Sequence, residues 1–389
     1  MPKDFHKAPK AWSQIKHQIL GTYLSLFLGK LGATGRRIYY IDGFAGPGRL
    51  DDGSDGSPLI AAQQAANPVQ KSRQGILHCI NVEEDDETFA NLERVTAPFA
   101  ARGLVRNYHG RFQDHLAEIL SEITEHTAFF FIDPFGTKGA ELETLKRIAS
   151  RRAKTEALVR YDDTRVKRLI VWAANNLESL DPAHRKTAER LRARVEQLTD
   201  EEAAIQAETE LLFGTEIETR EWLIKGYETQ VKAKTEFRYS LHYPIKNPLT
   251  GGHRYYLVHF CSHADGYTYM ANFMAQAERT YRQLCASSGE LFGSQGQMEF
   301  MSIKKELADK QERASMLAIL HELPQIFSAK RWHGKRVANR EVYAAIVDRF
   351  GWTVLRREYL KALRELEELR KIKMAGSKDN EYTDIGRTP

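Results

Sequence analysis

Ile38-Tyr39-Tyr40-Ile41-Asp42-Gly43-Phe44-Ala45-Gly46-Pro47-Gly48 runs from four apolar residues into an acid and then a glycine-rich loop. Such an apolar run reads as a strand buried on both faces of a parallel sheet. A strand, an acid, a glycine turn and then a helix make the mouth of a nucleotide pocket in a doubly wound sheet. Glycines at 43, 46 and 48 remove Cβ atoms, so a ligand can approach the backbone closely. The following helix is predicted to start near Ser57-Pro58, with Ser57 as its cap and Pro58 at its first position. An ordinary tight turn uses the same residue types, so the remainder of the chain has to supply the context.

With 389 residues the chain is long enough for two or three domains. No apolar run approaches the ~20 residues needed to span a bilayer. Residues Met1 to His6 carry no apolar signal segment, so a cytoplasmic location is the expectation. Cys79, Cys261 and Cys285 are far apart and in no metal-ligand spacing, so no metal site is expected. The net charge of +5 permits an acidic partner such as nucleic acid without requiring one.

Residues 12–31 have apolar positions at helical spacing, with Lys16-His17 on the same helix. That pair is either a solvated corner or part of a helix laid over the cofactor mouth. A second strand, 76–82, is followed by Glu83-Glu84-Asp85-Asp86. Glu83, first after the strand, is the candidate clamp for a ribose hydroxyl. A third strand at 104–108 leads into Gly110-Arg111-Phe112-Gln113-Asp114, a loop placed to contact an adenine ring. The fourth strand, 128–132, ends in Asp133-Pro134-Phe135-Gly136. An acid, a proline and an aromatic at this point suit an amino-group methyltransferase. The carboxylate and nearby carbonyls accept hydrogen bonds from the target amine, and the aromatic stacks on an extruded base.

A fifth strand at 156–161 precedes a helical insertion over 163–235, rich in Glu, Arg, Lys and Ala. Arg185, Lys186, Arg190, Arg192 and Arg194 in it read as a solvated face or as phosphate contacts. Strands at 237–245 and 255–260, joined by an Asn/Pro/Gly loop, form a hairpin. A parallel sheet closed by an antiparallel hairpin is the methyltransferase arrangement, not that of dehydrogenases. The expected fold is thus α/β: a Rossmann-like Class I methyltransferase sheet over 1–162 and 236–285, with a helix at 269–281 packed on it. Residues 286–301 read as a linker, 302–374 as a winged-helix-like module with a basic stretch at 330–340, and 375–389 as a disordered tail.

These motifs resemble the three-Cys-motif partner family. The matching residues are Lys16-His17, Tyr40-Ile-Asp-Gly-Phe-Ala-Gly-Pro-Gly-Arg49, Gly56-Ser-Pro-Leu59, Ile132-Asp-Pro-Phe-Gly136 and the later hairpin, over nearly the full length. More distantly the chain is similar to adenine-N6 methyltransferases of large-subunit ribosomal RNA. The resemblance implies S-adenosylmethionine held by Lys16, His17, Asp42, Gly43, Phe44, Gly46, Gly48, Glu83, Phe112 and Gln113. It implies a target amine at Asp133, Pro134 and Phe135. It also implies a radical-SAM-like three-Cys-motif partner protein. Two positions depart from the adenine-N6 pattern: Phe135 replaces a second proline, and Arg111 stands where an acid is common. Two functions follow as expectations: a methyltransferase acting on an exocyclic amine of a nucleic-acid base, or a partner subunit that keeps the fold and works only with the radical-SAM-like protein.

Overall fold

The computed structural model describes residues 11–31, 37–67, 77–213, 216–247, 250–287 and 294–386. The chain divides into two compact units, Met1–Ser262 and His263–Pro389.

The first unit begins with α1 (Ala11–Leu31) and then alternates strand and helix. In order these are β1 (Ile38–Asp42), α2 (Ser57–Ala66), β2 (Leu77–Glu83), α3 (Asp86–Ala100), β3 (Val105–His109), α4 (Phe112–Glu122), β4 (Thr127–Ile132), α5 (Leu142–Ala149) and β5 (Thr155–Tyr161). Four helices follow: α6 (Asp163–Asn176), α7 (Pro182–Val195), α8 (Glu201–Phe213) and α9 (Glu216–Lys234). They form the expected helical insertion. The hairpin β6 (Tyr239–Lys246) and β7 (His253–Cys261) returns to the sheet.

The seven strands lie in the order β3-β2-β1-β4-β5-β7-β6. The first five are parallel, and β7 runs antiparallel to both β5 and β6. This is the expected Rossmann-like sheet with a closing hairpin. Every residue of β1 is buried, and Phe129, Phe130 and Phe131 of β4 are wholly buried, as unbroken apolar runs require when both faces are covered. Asp42 sits level with Asn81 of β2 and Phe131 of β4, so the glycine turn and the Asp133 loop leave the same sheet edge side by side.

Helix α1 is fixed to the sheet by Tyr23, whose ring lies 5.5 Å from that of Phe129. The Tyr23 hydroxyl donates to Glu156 of β5, and the His259 Nε2 of β7 meets the same carboxylate oxygen at 2.8 Å. One acid thereby ties an N-terminal helix to two strands far along the chain.

Two local expectations are corrected. Ser57 is the first helical residue and Gly56 the N-cap, which makes no side-chain cap bond. Glu83 is the last residue of β2 rather than the first after it.

The second unit holds α10 (Ala264–Ser287), α11 (Ser294–Ala329), β8 (Arg336–Ala338), α12 (Asn339–Phe350), α13 (Arg356–Glu368), β9 (Ile372–Met374) and β10 (Tyr382–Ile385). Its three strands form an antiparallel sheet in the order β8-β10-β9. Ile319, Leu323, Phe327, Tyr343, Ile346, Tyr359 and Leu363 make its core. Arg356 is half-buried beside Asp379 at 2.6 Å, with the rings of Tyr343 and Tyr269 at 4.5 and 4.8 Å.

The expected boundaries shift here. Helix α10 belongs with the second unit, since its Asn272 accepts from the Arg356 backbone and its Arg279 pairs with Glu358. Residues 294–301 are helical, not linker, and 288–293 lie outside the described residues. The expected tail contributes β10, whose Thr383 is buried and hydrogen-bonded to Asn339.

Candidate active site

The glycine turn is shaped from below. Asp42 is fully buried, and its carboxylate accepts from the Tyr40 hydroxyl at 3.0 Å, from the Phe44 N–H at 3.2 Å and from the Ser57 hydroxyl. Burial raises its pKa to about 6, and these three donors oppose the rise. Asp42 therefore organises the turn and does not line the cleft. The Gly43 N–H donates to the Phe131 carbonyl and the Ala45 N–H to the Val82 carbonyl, each at 3.0 Å, which threads the turn between β4 and β2.

Gly46 and Gly48 have φ of +66° and +75°, where a side chain is strained. A Cβ at Gly46 would meet nothing within 4 Å, whereas one at Gly48 would lie 2.7 Å from Val95 Cγ2. A Cβ at Gly43 would come within 3.0 Å of the Phe112 ring, so that ring packs directly beneath the turn.

Glu83 is buried and bonded at both oxygens. Its Oε2 accepts from the Gly46 N–H at 2.8 Å and its Oε1 from the Asp85 N–H at 2.9 Å. Each oxygen retains a lone pair for another donor.

These residues form one wall of a cleft of about 930 Å³. Lys16 and His17 of α1 line it too, so the pair belongs to the cleft and not to a solvated corner. Gly43, Phe44, Gly46, Gly48, Glu83, Phe112, Asp133 and Phe135 line the same space. Pro134 is buried and turns the chain without lining it. Gln113 faces a neighbouring cavity of about 540 Å³, with Lys138, Arg147 and Arg194. Arg111 pairs with Glu84 at 2.8 Å at the mouth. Of the insertion's basic residues, Arg194 bonds Glu141 at 3.1 Å, while Arg185, Lys186, Arg190 and Arg192 are exposed.

Asp133 is the electrostatic centre. Its Oδ2 accepts from the Lys16 ammonium; its Oδ1 is buried, makes no hydrogen bond and lies 3.6 Å from Arg160 Nη1. Burial opposes the charge on Lys16, but the Asp133 carboxylate outweighs it and holds the lysine pKa above its ordinary value. Burial and then the adjacent Lys16 charge push His17 down to about 3, against the pull of Asp133, so its imidazole is neutral at neutral pH. The Arg160 guanidinium lies 4.2 Å from the Tyr255 ring centroid and 5.8 Å from that of Phe135. His253, also on β7, bonds through Nε2 to the buried Asp163 at 2.7 Å, and Arg220 flanks that acid at 3.5 Å.

Arg160, Tyr255 and His253 were not among the candidate site residues read from the sequence. The available signal for Arg160 was a cation one residue before the end of the fifth strand.

No family model matches the sequence, and no curated protein matches it. Solved structures do match. One is the O-methyltransferase TomG from Streptomyces achromogenes, involved in tomaymycin synthesis and solved with SAM. It is 13% identical, covering 61% of this chain and 79% of that chain, with a TM-score of 0.31. Another is an O-methyltransferase from Bacillus cereus in complex with SAH, 14% identical, covering 62% and 80%, with a TM-score of 0.33. A third is a protein from Legionella pneumophila, 12% identical, covering 64% and 85%, with a TM-score of 0.34. At such identities and scores the functional reading rests on the residues of the cleft.

Proposed function

We propose that this chain is an S-adenosylmethionine-dependent methyltransferase acting on an exocyclic amine of a nucleic-acid base. The observation that carries the proposal is Asp133: a nearly buried carboxylate beside an aromatic side chain, with one oxygen making no hydrogen bond, in the cleft that the glycine turn also lines.

The residues present fit the cofactor. Gly46 lines the cleft at positive φ with open space where a Cβ would stand, and Glu83 keeps lone pairs for ribose hydroxyls. The turn from Gly43 to Gly48, Glu83 and Phe112 would hold it, with Lys16 and His17 closing the cleft from α1. When bound, the cofactor supplies an electrophilic methyl group. Asp133 would accept an N–H of the target amine, drawing the ring-delocalised nitrogen toward tetrahedral geometry. Lys16 and Arg160 flank that carboxylate, and a carboxylate is a strong acceptor. Phe135 would stack on the base. Rate then comes mainly from alignment of the reacting atoms.

The test is transfer of tritiated methyl groups into mixed cellular RNA and DNA. Asp133→Ala should cut transfer at least a hundredfold, ~3 kcal/mol of barrier, and leave the affinity for S-adenosylhomocysteine nearly unchanged. Transfer indifferent to Asp133 would overturn the site. Transfer only on adding the radical-SAM-like partner would make the chain a partner subunit instead.

A further inference from the structure

The cleft is divided by charge. Its wall beside the glycine turn carries Glu83, Glu84 and Asp85, and its cation there, Arg111, is paired with Glu84. The opposite wall, at the ends of β5, β7 and α6, carries Arg160, Arg165, Arg168 and Arg254. The two acids on that side, Asp133 and Asp162, already face Lys16 and Arg160. Arg165 and Arg168 on that wall are exposed, as is Lys138 elsewhere in the cleft lining.

We propose that Arg165, Arg168 and Arg254 form a subsite for the backbone phosphate of a nucleic-acid strand whose base is presented to Asp133. The proposal rests on the nucleic-acid reading above and gives it a second anchor point. Arg168 is exposed and has no ion-pair partner among the described residues. Arg165 is 56% exposed, with its Nε 3.5 Å from Asp162. Its guanidinium also lies over Gly136, where a Cβ would stand 3.2 Å from Nη1 at a φ of +101°. The loop carrying Asp133 and Phe135 thus passes beneath an arginine head.

The helix terminus does not bind the anion by itself, because Asp162 already accepts the Arg165 N–H at 3.0 Å as a cap. The side chains supply the charge. Guanidinium groups suit phosphate, which they can grip through two parallel hydrogen bonds. Strands β4 and β7 are separated by β5, so Arg254 stands roughly 10 Å across the sheet from the strand that ends at Asp133. That is the scale of a nucleoside between its base amine and its phosphate.

The experiment measures anisotropy of a fluorescein-labelled single-stranded RNA oligonucleotide over a range of salt, with the full chain and with Arg165→Gln/Arg168→Gln. The expected result is at least tenfold weaker binding by the variant. Its slope of log affinity against log salt should be smaller by about 1.4, for two phosphates no longer neutralised. A methylphosphonate oligomer of the same sequence, which lacks the backbone charge, should bind both proteins equally. Calorimetry with S-adenosylhomocysteine should give the same affinity for both. Equal RNA affinity in the variant, equal binding of charged and neutral backbones, or no RNA binding by the wild type would overturn the subsite. Loss of the cofactor signal in the wild type, with RNA binding still dependent on the arginines, would instead overturn methyl transfer and leave the subsite standing.

Discussion

The Lys16 ammonium on α1 donates to the carboxylate of Asp133 at the end of β4, across 117 positions of chain. The acid that would receive the substrate is thus held by a helix that precedes the sheet. Both side chains are nearly buried, at 11% and 12% exposure. Removing one partner of such a pair strands a charge in a dry place.

Lys16→Met should therefore lower stability by about 3 kcal/mol, while Lys16→Met/Asp133→Leu should recover most of the loss. Urea unfolding of the two single variants and the double variant closes the cycle. Equal destabilisation by the single and double variants would show that the pair contributes packing alone.

His17 gives a pH test. Its folded pKa, about 3, lies below the ordinary 6.5. The unfolded chain takes up a proton first as pH falls, so this contribution to stability is complete above pH 6.5 and is lost progressively toward pH 3. The imidazole resonances of His17 should not titrate between pH 5 and 8, and His17→Gln should unfold less readily in mild acid, relative to pH 7, than the wild type.

Asp42 works in the opposite sense to an ordinary salt-bridged acid. Its folded pKa of about 6 lies above the ordinary 3.8, so the folded chain holds the proton longer. Its contribution is full below pH 3.8 and falls away as pH rises to 6, by at most ~3 kcal/mol. Asp42→Asn should remove that slope from a plot of unfolding free energy against pH. An unchanged slope would place the proton elsewhere.

Two glycines separate stability from binding. Gly48→Ala forces a methyl against Val95 and should cost about 1–3 kcal/mol of folding free energy, read by thermal or urea unfolding. Gly46→Ala meets no neighbour, so it should cost only the ~1 kcal/mol of backbone strain. It should nonetheless weaken S-adenosylhomocysteine binding at least tenfold in calorimetry, because the added methyl enters the cleft.

Much of the sheet was legible because parallel strands are covered on both faces. The β1 run and the three phenylalanines of β4 had no solvent side to interrupt them, and glycine or proline marked where each strand stopped. The hairpin was legible from its Asn/Pro/Gly loop. The polar stretch at 294–301 was misread because one glycine costs a helix only ~1 kcal/mol, serine and glutamine less, and the long α11 runs through them. Strand β10 was missed because its pairing with β8 and β9 depends on contacts distant in sequence. Among the site residues, Asp133 announced itself through its neighbours in the chain. Arg160 and Tyr255 did not, since what joins them is the antiparallel pairing of β5 with β7.

The Glu156 anchor sets a schedule for biosynthesis. Tyr23 leaves the ribosome early, but His259, which completes its bond network, is translated only after the whole helical insertion. At ~5–20 residues per second that interval is on the order of 10–50 s. Throughout it the apolar face of α1, with Ile19, Leu20, Leu24 and Phe27, lacks the finished sheet that covers it. Slowed elongation through the insertion would lengthen that exposure.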